Sequence, residues 1–174
     1  FYHVDARPPR ERRRMLRFYH ECVRRQLYLN GPEKIHLSKN PTFSGRIESL
    51  LEEFPDARFV IPFRHPYETI PSLLKLLQLA WRMRKWSDAE MQRSLRVPAE
   101  QSLHTYTYPL EVLARHPETP RAIVDYRALV AEPRRTVEEI YVQLGLPPMT
   151  PAHATALAAE EEKSRRHETS HAYG

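Results

Sequence analysis

The hydrophobic and polar positions of the chain form two kinds of pattern, short apolar runs and longer amphipathic stretches. Arg58–Phe63 and Arg121–Asp125 are short apolar runs, and both predict buried strands. Lys34–Ser38 predicts a third. Because helical patterns separate these runs, the sequence predicts an α/β fold in which a short parallel sheet is flanked by helices.

The amphipathic stretches predict the helices. Pro133 suits a first helical turn, and Gly145 is typical of a helix end. The predicted helices are Arg10–Leu29, Ser44–Glu53, Tyr67–Lys85, two within Asp88–Arg115 that break near Val97 and Pro98, one that begins at Pro133, and Ala152–Glu162.

Composition adds limits to this picture. A chain of 174 residues with 41% hydrophobic content can bury one sizeable core, which predicts a single domain over residues 1–174. No apolar run approaches membrane-spanning length and no secretory signal pattern is seen, so a cytoplasmic protein is predicted. A lone cysteine, Cys22, excludes an internal disulfide, and the nine histidines lack ligand spacing, so no metal is predicted.

The net charge of +5 leaves two interpretations open. Arginines recur around the first predicted helix, and they are either a nucleic-acid or polyanion surface or a solvated helix face. A basic crevice also suits a multiply phosphorylated ligand. The recurring arginines are Arg10, Arg12, Arg13, Arg14, Arg17, Arg24 and Arg25.

The most informative segment is Phe54–Ser72, FPDARFVIPFRHPYETIPS. Arg64 leaves the carboxyl end of a predicted strand, where open α/β sheets bind ligands, and Ser72 follows eight residues later in the next helix. An arginine fork and a hydroxyl near a helix N-terminus are typical of a phosphate site. The alternative is an arginine in an ion pair at a strand end and a serine bonded to its own helix.

This segment resembles the sulfotransferase family, in which an arginine after a strand and a serine eight positions later hold the 3′-phosphate of the donor 3′-phosphoadenylyl sulfate (PAPS). Thr119–Pro147 is similar to a second family segment, with a strand, a tyrosine turn, a proline-initiated helix and a closing Gly-Leu-Pro. The resemblance implies a P-loop-NTPase-like three-layer sandwich. It assigns the 3′-phosphate to Arg64 and Ser72 and the adenine to Tyr126. Arg127 and Ala128 stand where the family has an acidic pair.

The family also keeps a lysine that stabilises charge during transfer. Two registers compete: one pairs Lys34 with His36, and the other uses Lys39, which lies 25 residues before Arg64. The second spacing fits the resemblance better, so Lys39 is the predicted catalytic lysine. His36 and His104 are candidates for the general base.

The resemblance covers roughly Lys34–Pro147, and the N-terminal strand and phosphate loop of the family are not seen. We therefore expect an inactive fragment, incomplete at both ends, whose tail Lys163–Gly174 is similar to a C-terminal family segment. The complete protein is expected to transfer a sulfuryl group from PAPS to a hydroxyl or amine of a small molecule or glycan. The alternatives are a non-enzymatic nucleic-acid or polyanion-binding module that uses the arginine-rich first helix, and a nucleotide kinase, although a kinase needs a phosphate loop and a magnesium-binding acid.

Overall fold

The structure, a computed structural model, describes the backbone of residues 3–166 and the side chains of residues 3–163. It is mixed α/β and mostly helical, with a short parallel sheet flanked by helices, as predicted. The helices are α1 (Pro9–Asn30), α2 (Ile47–Glu53), α3 (Pro66–Met83), α4 (Asp88–Ser94), α5 (Arg96–Arg115), α6 (Tyr126–Ala131), α7 (Pro133–Gln143) and α8 (Pro151–Arg166). The strands are β1 (Phe59–Phe63) and β2 (Arg121–Asp125), and a 3-10 helix covers Pro41–Arg46.

The described residues form two compact units. The first contains the described part of Phe1–Ala57 together with Val97–Glu118, and the second contains Arg58–Arg96 with the described part of Thr119–Gly174. The similarity proposed for the tail Lys163–Gly174 falls largely outside the described residues.

The core of the first unit is formed by apolar faces of its helices. The residues of α1 that are buried recur at seven-residue spacing, Leu16 and Val23, because an amphipathic helix turns one stripe inward. Ile47 and Leu50 of α2 are buried as well, and α1 packs against α2. Leu113 of α5 is almost completely buried.

Asp5 joins separate segments of this unit. Its carboxylate accepts hydrogen bonds from the backbone N–H groups of Glu48 and Ser49, each at 3.0 Å, and from the Tyr108 hydroxyl at 3.0 Å. The Ser49 hydroxyl also bonds to it, and Arg12 lies 3.7 Å away. Burial and the bond to Asp5 raise the pKa of Tyr108. Asp5 therefore caps α2 from a distant point in the chain.

In the second unit, β1 and β2 pair in parallel, with Phe59 opposite Arg121 and Phe63 opposite Asp125. The buried face of β2, Ala122 and Val124, packs with Leu144, and α6 and α7 both contact this strand. The register brings the carboxyl ends of both strands to the same edge of the sheet.

The prediction of a strand over Lys34–Ser38 is wrong. These residues are irregular, and the apolar side chains that should have been buried, Ile35 and Leu37, are exposed. A strand needs a neighbour to satisfy its backbone groups, and the sheet seen among residues 3–166 contains β1 and β2 alone. The alternation of apolar residues was therefore not enough to form a strand here.

Other predicted elements are confirmed with small changes at their ends. The start of the helix predicted at Ser44 is a 3-10 helix that leads into α2, and the break between α4 and α5 lies at Leu95. Helix α6 was not predicted, because six residues are too few to show a helical period. Among the described helices, none combines the length and apolarity needed to cross a bilayer.

Gly145 ends α7 as predicted. Its φ of 58° lies in the left-handed region, and its N–H donates to the Val142 carbonyl while the N–H of Leu146 donates to Tyr141. Nothing within 4 Å would meet an added Cβ, so the cost of a side chain there is conformational.

We expect Gly145→Ala to lower the free energy of unfolding by about 1 kcal/mol because a non-glycine residue is strained at this φ. Urea denaturation measures the change. Gly145→Asn is the matched control and should cost less, since asparagine tolerates the left-handed region. A loss for asparagine as large as that for alanine would contradict this account.

Candidate functional site

Arg64 and Tyr126 lie side by side at the carboxyl end of the sheet. Each residue directly follows its strand, and the pairing of Phe63 with Asp125 places the residues that follow the two strands next to each other. The Arg64 guanidinium carbon lies 4.9 Å from the centroid of the Tyr126 ring, within the range of a cation–π contact. The structure thus brings together two of the predicted nucleotide-binding residues, whose roles remain predictions.

Glu68 lies next to Arg64 and bonds to two arginines. Arg64 Nε donates to Glu68 Oε2 at 3.3 Å, and Arg127 Nη2 donates to Glu68 Oε1 at 2.7 Å. The bond from Arg127 and then that from Arg64 hold the pKa of Glu68 below its usual value, and Glu68 raises the pKa of Arg127. The sequence interpretation missed Glu68, because Arg64 lies before the first residue of α3 and the two residues are therefore not a pair on one helix face.

Ser72 lies on α3 one turn beyond Glu68 and is half-buried. Within the described side chains its hydroxyl makes no hydrogen bond, so the alternative of a serine bonded to its own helix is not observed. Helix α3 begins at Pro66 after His65, whose Nδ1 accepts from the Tyr67 N–H at 3.4 Å. The second unit thus holds Arg64, Ser72 and Tyr126, three of the predicted site residues.

Lys39 and His36 belong to the first unit, in the irregular segment that precedes the 3-10 helix. Lys39 is exposed and forms no ion pair within the described side chains. It is followed by Asn40, whose side chain accepts from the Thr42 N–H at 3.0 Å and caps the 3-10 helix. The cap fixes the backbone next to the lysine and leaves its ammonium group open to solvent.

His36 is held by a short chain of hydroxyl groups. Its Nε2 lies 2.7 Å from Ser38 Oγ, which lies 2.6 Å from the Tyr19 hydroxyl of α1. The other candidate base, His104, lies between two rings: it stacks on Tyr108 at a centroid distance of 4.7 Å and packs at a tilt against His3 at 4.1 Å. Both imidazoles therefore have defined positions in the first unit, and neither role is decided.

The arginines of α1 do not all share one surface. Arg12 faces inward and donates to Glu52 at 2.8 Å. Five other arginines line a shallow groove along one side of the helix, together with the exposed ring of Phe18. The residues of this groove are Arg10, Arg13, Arg14, Arg17, Phe18, Glu21, Cys22 and Arg25. Five of the seven recurring arginines of α1 therefore lie along this groove.

No set of three or more histidine, cysteine, aspartate or glutamate side chains in the described part of the chain is arranged to hold a metal ion.

Comparison with known proteins connects this geometry to a family. The family model described as "Sulfotransferase family" matches residues 2–151 and so covers residues of both units. No solved structure is significantly similar to the chain.

Two curated relatives come from Mycobacterium bovis and Mycobacterium tuberculosis. Each carries the name omega-hydroxy-beta-dihydromenaquinone-9 sulfotransferase Stf3 and is 31% identical over an alignment of 130 residues that covers 70% of this chain. The chain spans 31% of the length of these relatives. On the family match over most of its length, the chain belongs to the sulfotransferase family.

Proposed function

We propose that this chain belongs to a PAPS-dependent sulfotransferase. The observation that carries the proposal is the convergence of Arg64 and Tyr126 at the carboxyl ends of paired parallel strands in a member of this family. Ligands bind at that edge in open α/β sheets. A guanidinium beside an aromatic ring could bind two parts of a nucleotide: the guanidinium a phosphate and the ring the adenine.

The proposed reaction is an in-line displacement at sulfur. An oxygen of the acceptor hydroxyl bonds to the sulfur of PAPS, the bond from sulfur to the bridging phosphate oxygen breaks, and 3′,5′-adenosine bisphosphate leaves. The hydroxyl proton passes to a general base, for which His36 and His104 are the candidates. Lys39 would stabilise the charge that develops on the transferred and leaving oxygens.

The donor is proposed to bind through the second unit. Arg64 and Ser72 would bind its 3′-phosphate and Tyr126 its adenine. The side chain of Arg64 is only 24% exposed, so its bonds to a phosphate are partly shielded from water. Since a single family model covers residues of both units, we propose that they belong to one sulfotransferase domain.

The acceptor is proposed to be a hydroxyl group on a small molecule. The curated relatives are named for an omega-hydroxy menaquinone derivative, which favours a hydroxyl over an amine and a lipid-like acceptor over a glycan. Fold alone does not select among acceptors.

Nucleotide binding tests the proposal. We expect 3′,5′-adenosine bisphosphate to raise the melting temperature of the protein much more than 5′-AMP, because Arg64 and Ser72 contact the 3′-phosphate. Arg64→Ala should remove about 1.5–3 kcal/mol of that binding, the range for a hydrogen bond to a charged group. This corresponds to a roughly ten- to hundredfold weaker affinity, measured by isothermal titration calorimetry.

Arg134→Ala is the matched control, since Arg134 lies in the same unit in an ion pair with Glu138, also four residues away. It should leave the affinity unchanged. Equal stabilisation by the two nucleotides contradicts the proposed site. If the protein binds neither nucleotide but binds a polyanion with an affinity that falls steeply with salt, the result would instead support a polyanion surface on α1.

A further inference from the structure

Glu68 lies beside Arg64 and Ser72, the residues proposed to bind the 3′-phosphate. A helix rises about 1.5 Å per residue, so Glu68 and Ser72 lie roughly 6 Å apart along α3 on nearly the same face. The carboxylate also reaches back to Arg64, with 3.3 Å between Oε2 and Nε. An anion held by both Arg64 and Ser72 would therefore lie against the Glu68 carboxylate.

Arg127 reaches the same carboxylate from the segment that follows β2. It is the second residue after β2, and its backbone N–H donates to Asp125 Oδ1 at 2.8 Å, which fixes the start of α6. Its guanidinium donates to Glu68 Oε1 at 2.7 Å. The Arg127 side chain is 72% exposed, compared with 24% for Arg64, so a ligand from solvent can reach it.

A carboxylate with one guanidinium on each oxygen presents the same bonding pattern as a bound phosphate. Both groups supply acceptor oxygens at spacings that suit arginine donors. A phosphate dianion carries more charge than a carboxylate, so it can replace Glu68 between the arginines. While Glu68 remains there, its negative charge opposes the incoming anion.

We propose that Arg127 is a second guanidinium ligand for the 3′-phosphate of the nucleotide, and that Glu68 is an internal competitor that holds Arg64 and Arg127 until the phosphate replaces it. This inference rests on the proposed function. Glu68 then adjusts affinity: it keeps the two arginines in place in the empty protein and weakens retention of the desulfated nucleotide. A glutamate is ordinarily ionised at neutral pH, and both arginines lower the pKa of Glu68 further.

The sign of the effect at Glu68 tests this inference. In calorimetric titrations of the full chain with 3′,5′-adenosine bisphosphate, Glu68→Gln and Glu68→Ala should each tighten binding by roughly two- to fivefold, the range expected for a partly exposed charge. If Glu68 only orients Arg64, both variants weaken binding. Unchanged or weaker binding in both variants overturns the competitor role.

Arg127→Gln should weaken binding of the same nucleotide by roughly two- to fivefold, less than Arg64→Ala because Arg127 is more exposed. Arg127→Lys keeps the charge without the fork and should restore part of that loss. Glu138→Gln and Arg134→Gln change the same charges at an exposed pair on α7 and should have no effect. A loss for Arg134→Gln equal to that for Arg127→Gln would show only a general charge effect and overturn the ligand role.

Binding of 5′-AMP separates this inference from the proposed function. Its affinity should change little in the Glu68 and Arg127 variants, since it lacks the 3′-phosphate. If Arg64→Ala lowers affinity for the bisphosphate while the Glu68 and Arg127 variants bind like wild type, the inference is wrong and the proposed site stands. If wild type does not distinguish the two nucleotides, both are wrong.

Discussion

Asp5→Ala is expected to lower the free energy of unfolding by about 3–5 kcal/mol, the range for removing one partner of a buried charged network. The Asp5 side chain is 6% exposed and accepts bonds from two α2 backbone N–H groups and the Tyr108 hydroxyl. Alanine leaves these donors without their acceptor and removes the negative charge beside Arg12. Urea denaturation should show a lower midpoint with the same slope.

Two other variants show whether the effect belongs to the network. Asp56→Ala removes an exposed carboxylate and should change the free energy of unfolding by less than about 0.5 kcal/mol. Tyr108→Phe removes one hydrogen bond and should cost about 1 kcal/mol. An Asp5→Ala protein as stable as Asp56→Ala would show that Asp5 does not hold the first unit together.

Lys39→Ala is expected to lower kcat by about 10²- to 10³-fold, as removal of a group that stabilises transition-state charge does. The assay needs a catalytically active protein that contains this chain. Affinity for 3′,5′-adenosine bisphosphate should change much less than kcat, because the ammonium group acts mainly where charge develops during transfer. Lys39 suits this role because it is exposed and forms no ion pair within the described side chains.

Lys34→Ala is the matched control, since Lys34 is an exposed lysine in the same irregular segment. It should leave kcat nearly unchanged. If Lys34→Ala causes the large loss and Lys39→Ala does not, the register that pairs Lys34 with His36 is correct. His36 then becomes the preferred general base.

The sequence determined the elements whose signals are local. β1 and β2 follow from short apolar runs, and α7 follows from Pro133 and the glycine at its end. In each case neighbouring residues carry the information, because chain stiffness, missing N–H groups and side-chain periodicity act over a few residues. The position of Arg64 at a strand end was readable for the same reason.

The tertiary structure decided what depends on partners far away in the chain. Lys34–Ser38 has the apolar pattern of a strand but remains irregular, because a strand forms only when a neighbour takes up its hydrogen bonds. Asp5 bonds to a tyrosine 103 residues away, and Glu68 bonds to an arginine 59 residues away. Such pairs leave no periodic trace in a single sequence, because folding alone brings the two groups together.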